Sequence, residues 1–130
     1  MAGSSATLHE NPEQLSAATI DRHRAIVSIM EELEAIDWYD QRLEAARDAE
    51  LKAILRHNRD EEKEHAAMTL EWLRRHDPAF DEHLRTYLFT DRPVLEIEEA
   101  GDQAAANGDA RSSNDGSLGI GSLRTTRVGP

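Results

Sequence analysis

The chain has 130 residues, enough for one domain, and no cysteine, which excludes a disulfide framework and any thiolate metal site. Its 26 acidic residues against 15 basic ones leave a net charge of −11, a field that repels phosphate backbones and draws in cations, so no nucleic-acid partner is expected. No apolar run approaches the roughly 18 residues of a membrane span, and the first residues lack the basic and apolar regions of a signal peptide, so a soluble cytoplasmic protein with no membrane contact is expected.

Residues 1–15 are read as a flexible N-terminus. Between Gly3 and Gly101 no glycine occurs, and proline stands only at Pro12, Pro78 and Pro93. Ala, Leu, Glu and Arg dominate this stretch, so residues 16–100 are expected to form one all-α domain. A first helix is predicted from Ser16 to Ala46 and a second from Ala49 to Arg75. Their separation rests on Asp48 as an N-cap, with Glu50 in the turn behind it and Arg47 near the end of the preceding helix. A single helix of about 60 residues would exceed ~80 Å, too long for a compact domain, so an antiparallel two-helix hairpin is expected. Asp77 and Pro78 mark the start of a short C-terminal helix through "AFDEHLRTYLF". After Pro93, "VLEIEEA" allows one or two more turns. Residues 101–116, "GDQAAANGDARSSNDG", have the composition of a disordered linker.

The stretch "NRDEEKEHAAM" (58–68) lies mid-way along the second helix and is almost entirely polar. At 100° per residue, Leu51, Leu55, Thr69, Trp72 and Leu73 define one stripe, which Asn58, Glu62 and His65 continue through the middle. Glu62 falls within about 20° of Leu51, and His65 within about 40°. Two ionisable groups on a core-facing stripe are costly unless paired or bound to a metal. A carboxylate and an imidazole at i, i+3 suit chelation of one ion, although on one helix the spacing also fits a plain Glu–His hydrogen bond.

The first helix narrows the choice. Its apolar side carries Ile29, Leu33, Ile36 and Leu43, and Glu32 lies on that side's edge, within about 40° of Ile36. One inward carboxylate thus faces a Glu plus a His. Di-iron carboxylate bundles use a Glu from each of two helices and an ExxH from each of two others, so this chain supplies half of that set. A two-helix hairpin also cannot bury its stripe alone. Dimerisation into a ferritin-like four-helix bundle repairs both deficits and brings four glutamates and two histidines to one axis. That donor set suits Fe, Mn or Zn. A passive metal-binding or buffering module, and a structural helical adaptor whose polar stripe sets register, use the same residues.

"RHRAIVSIMEELEAIDWYDQR" followed by "HNRDEEKEHAAMTLEWLRR" resembles the encapsulated ferritins, bacterial iron-oxidising proteins housed in encapsulin shells, and the resemblance spans about residues 15–96. It implies a ferroxidase centre at Glu32, Glu62 and His65, completed by a second chain and holding two irons per dimer, cycling between Fe(II) and Fe(III). It implies that metal ions gather at Glu31 and Glu34 before reaching that centre. A peripheral site for other divalent cations is implied at His57, Glu61 and Glu64, between subunits. Trp38 and Tyr39 are implied near the centre, with Tyr39 able to hydrogen-bond or donate an electron. The resemblance further implies a ring-shaped decamer that passes Fe(III) to the surrounding encapsulin for storage.

Beyond the linker, residues 117–130 carry "SLGIGSLR", an apolar patch among glycines and serines of the kind that orders on docking. Leu118, Gly119, Ile120, Gly121, Ser122, Leu123 and Arg124 resemble the peptide that directs cargo into encapsulin shells. Here "TTRVGP" follows it, so the peptide is not at the extreme terminus.

Overall fold

In a computed structural model, which describes residues 7–115, the chain is all-α. A 3₁₀ turn, Pro12–Gln14, precedes α1 (Ala17–Ala45), α2 (Ala49–His76), α3 (Pro78–Tyr87) and α4 (Val94–Asp115). None of the described helices is long and apolar enough to cross a membrane.

Side-chain caps set the helix starts. Ser16 Oγ accepts from the Thr19 N–H at 3.1 Å, and Asp48 Oδ2 accepts from the Leu51 N–H at 2.8 Å. Asp77 Oδ1 does the same for the Phe80 N–H at 3.1 Å, with Pro78 in the first helical position. Between α1 and α2 only residues 46–48 are non-helical, so the two helices turn back on each other and pack along their length. Their antiparallel register is visible in the ion pair of Arg59 Nη1 with Asp40 Oδ1 at 3.1 Å. Eight residues earlier on α1 and six later on α2, Glu32 meets His65.

The hairpin buries little. Ala25, Leu43 and Leu73 are the buried hydrophobic residues among those described. Leu33 and Leu51 belong to the stripes expected to face a core, yet Leu33 remains 55% exposed and Leu51 is also exposed. Ile26, Met30, Ile54 and Met68 are exposed as well, Met68 at 63%. One neighbouring helix covers only part of a stripe that is about 100° wide or more, so the remainder faces outward.

The chain divides into two compact units between Leu84 and Arg85. In the first, Arg74 ties the end of α2 to the start of α3. Its guanidinium donates to Glu71 Oε2 at 2.9 Å and also to Asp81. In the second, Phe89 takes φ 59° just after α3, a left-handed conformation that is strained for a side chain with a Cβ, and it is fully exposed.

The second unit also corrects the sequence reading. The segment from Gly101 that has a linker's composition is helical through Asp115, so α4 extends well beyond the expected one or two turns. Gln103, Ala104, Ala105 and Ala106 favour helix more strongly than Gly101 and Gly108 oppose it. The side chains of residues 98–109 are all exposed, so propensity and not packing sustains this stretch. A Cβ added at Gly101 or Gly108 meets nothing within 4 Å. Gly101→Ala and Gly108→Ala should each favour the helix by about 1 kcal/mol and together raise the helical circular-dichroism signal. An unchanged signal would show that the segment is not a helix in solution.

Candidate metal centre

The middle of each long helix contributes to one cluster. Glu32 projects from α1, while Glu62 and His65 project side by side from α2 at the i, i+3 spacing. Each residue offers one ligand atom, and these atoms all lie within 4.8 Å of one another. His65 Nδ1 is 3.1 Å from Glu62 Oε2 and 3.9 Å from Glu32 Oε2. Among the described residues, this is the one group of three acidic or imidazole side chains gathered so closely.

The cluster is open on one side. The side chains of Glu32 and Glu62 are 26% and 25% exposed, and that of His65 is 50% exposed. Glu32 and Glu62 approach each other across the hairpin. Hydrogen bonding to Glu62 holds Glu32 above the usual carboxylate range, and burial and the nearby Glu62 charge act in the same direction. The same hydrogen bonding, together with that from His65, holds Glu62 below that range. The hydrogen bond to Glu62 also raises the His65 pKa against the opposing effect of burial.

Two oxygens and one imidazole nitrogen aimed at a common point suit a divalent cation of borderline hardness, such as Fe(II), Mn(II) or Zn(II). A cation placed there would offset the repulsion between the two carboxylates. Three protein ligands leave coordination positions open, which fits a site where a metal reacts or where further ligands arrive.

The remaining sequence-predicted residues fall outside this cluster. Glu31 and Glu34 are exposed on α1, although the Glu31 charge contributes to the raised Glu32 pKa. His57 Nε2 pairs with Glu61 Oε1 at 3.0 Å, and both side chains are mostly exposed. Glu64 lies along a shallow groove with Met68, Trp72 and His76, and it forms no three-residue cluster with His57 and Glu61 among the described residues. Trp38 and Tyr39 flank Arg42, whose guanidinium carbon is 5.8 Å and 5.7 Å from their ring centroids. The segment Leu118–Arg124 lies outside the described residues. Helical phase did not reveal the Arg59–Asp40 clamp. Its one available signal was the near-constant sum of residue numbers that paired positions share in an antiparallel hairpin.

An all-α fold with this cluster between its two long helices defines the ferritin-like class. The chain belongs to the EncFtn-like family, whose model matches residues 7–91. It is 61% identical over 129 residues to the "Encapsulated ferritin-like protein" of Rhodospirillum rubrum, covering 95% of this chain and 92% of that one. It is 56% identical over 91 residues to the "Ferritin-like protein" of Thermotoga maritima, covering 70% of this chain and 80% of that protein. The "Encapsulin nanocompartment cargo protein EncC" of Myxococcus xanthus is 34% identical over 104 residues, 75% of this chain and 80% of its own. Among solved structures, the crystal structure of protein ne0167 from Nitrosomonas europaea shares 63% identity at a TM-score of 0.65, covering 67% of this chain and 96% of that one.

A metal bound at this cluster would displace protons. Glu32 and His65 both have raised pKa values, so each retains its proton to higher pH than the free side chain and competes with metal over that extended range. Affinity for Zn(II), a redox-inert probe, should therefore fall between about pH 8 and about pH 6, with proton release on binding. Calorimetry in buffers of different ionisation enthalpy measures both quantities. Affinity that is flat across that range would contradict the assignment.

Proposed function

We propose that the protein is a ferroxidase that oxidises Fe(II) to Fe(III) at a di-iron centre formed across a dimer interface, and that it feeds the iron into an encapsulin compartment for storage. The observation that carries this reading is the Glu32–Glu62–His65 cluster, half of a di-iron ligand set, opening onto a hairpin with uncovered apolar side chains. Iron is the substrate here. Two copies provide four carboxylates, whose charge balances two ferrous ions and favours the ferric state further, which lowers the cost of oxidation. Each chain's own residues do the positioning: Glu32 and Glu62 bind the metal through oxygen, and His65 adds one nitrogen donor. The electrons pass to dioxygen or peroxide.

Glu31 and Glu34 would collect cations from solvent on the exposed side of α1, and His57, Glu61 and Glu64 would hold further divalent ions once a second chain adds donors. Tyr39 would serve near the centre as a hydrogen-bonding group. The family's ring-shaped decamer is the assembly that this reading adopts. The names of the Rhodospirillum rubrum and Myxococcus xanthus relatives support placement with an encapsulin shell, with residues 118–124 as the docking peptide. A second reading, a metal-buffering module without turnover, follows from the same open ligand set.

Glu32→Ala, Glu62→Ala and His65→Ala should each slow aerobic ferric formation by on the order of 10- to 100-fold or more, measured by ferric absorbance after anaerobic Fe(II) loading. Unchanged rates would remove the catalytic assignment, and bound iron that never turns ferric in the wild type would favour buffering. In the same series, a chain lacking residues 117–130 should oxidise iron at the wild-type rate but no longer co-purify with an encapsulin shell. Retained co-purification would refute docking through the tail.

A further inference from the structure

We propose that Arg42 is a positioning residue whose cation protects the aromatic pair Trp38 and Tyr39 from one-electron oxidation. Both ring centroids lie within 6 Å of its guanidinium carbon, at 5.8 Å and 5.7 Å, so a single charge covers two rings. Arg24, Arg59, Arg74 and Arg75 each meet a carboxylate within 4 Å. Among the described residues Arg42 forms no such ion pair, so its charge is not neutralised locally and acts on the rings.

The placement of the pair gives this charge a purpose. Tyr39 stands seven residues after Glu32 on the same face of α1, about 10 Å along the helix axis. Trp38 precedes it in the chain and is 49% exposed. Helical phase thus puts Tyr39 on the face of α1 that carries Glu32, while Trp38 is open to solvent. When a ring is oxidised, it first gives one electron to the oxidant, here partly reduced dioxygen, and becomes a radical cation, whose phenol O–H or indole N–H proton then passes to water. Before that proton leaves, the radical cation is repelled by the Arg42 guanidinium, and the attraction between cation and neutral ring is lost. Oxidation of both rings becomes harder, and electrons are drawn from iron in preference to the protein. The identity of the oxidant rests on the ferroxidase reading, whereas the protection does not.

The test uses the full chain with a soluble one-electron oxidant, hexachloroiridate(IV), in the absence of iron. Oxidised Trp38 and Tyr39 are quantified by peptide mass spectrometry, with Trp72 as the internal reference. Arg42→Gln should oxidise at Trp38 and Tyr39 about two- to fivefold faster than wild type, the size an exposed cation–π contact carries, while Arg42→Lys restores protection. The difference should narrow in molar salt, which screens an exposed charge. Equal Trp38 to Trp72 ratios in all three proteins would overturn the proposal, as would a difference that salt leaves untouched, since that marks steric cover. A second arm with Fe(II) in air separates the two readings. Faster oxidation of Arg42→Gln by the iridium reagent, with no ferric product in air, supports protection and contradicts the ferroxidase.

Discussion

The protein is organised around two carboxylates that face each other across the hairpin. Glu32 and Glu62 bring ligand atoms within 4.8 Å of each other, and His65 leans on Glu62 from the same helix. Like charges held this near are unfavourable unless a proton or a cation lies between them. The hairpin supplies the geometry at little conformational cost, because both ligand-bearing positions are mid-helix, where the backbone is most rigid. Its short connection of residues 46–48 and the Arg59–Asp40 contact fix the register that brings residue 32 level with residue 62.

The same hairpin is poor in core. Ala25, Leu43 and Leu73 are buried, while Ile26, Leu33, Ile54 and Met68 remain open to solvent. Apolar exposure of this extent on a two-helix unit is the usual mark of a surface that meets another chain. The metal cluster is deficient in the same sense, with three ligands and a half-exposed imidazole. Packing and chemistry are thus short of the same thing, and one association event would supply both.

Much of this was legible in the residues. The caps at Asp48 and Asp77 are local signals, since a short polar side chain before a helical run satisfies the first free N–H groups, and both fall where expected. The inward phase of Glu32, Glu62 and His65 followed from 3.6 residues per turn alone. Other features were not legible. The extent of α4 depended on weighing alanines against glycines without packing to decide, and composition favoured the wrong side. The exposure of Leu33 and Leu51 was hidden because a hydrophobic stripe shows that a face will be covered and not whether its own chain covers it. The closeness of Glu32 to Glu62 and His65 is a matter of distances, which helical phase does not contain.

Each chain is proposed to hold half of a metal site. Native mass spectrometry of the full chain with and without Fe(II), under anaerobic conditions, reads stoichiometry and metal count together. Even-numbered assemblies that take up two irons per pair of chains are expected, with that uptake lost in Glu62→Ala. A monomer that binds one iron at full affinity, or assemblies that bind none, would contradict the half-site assignment.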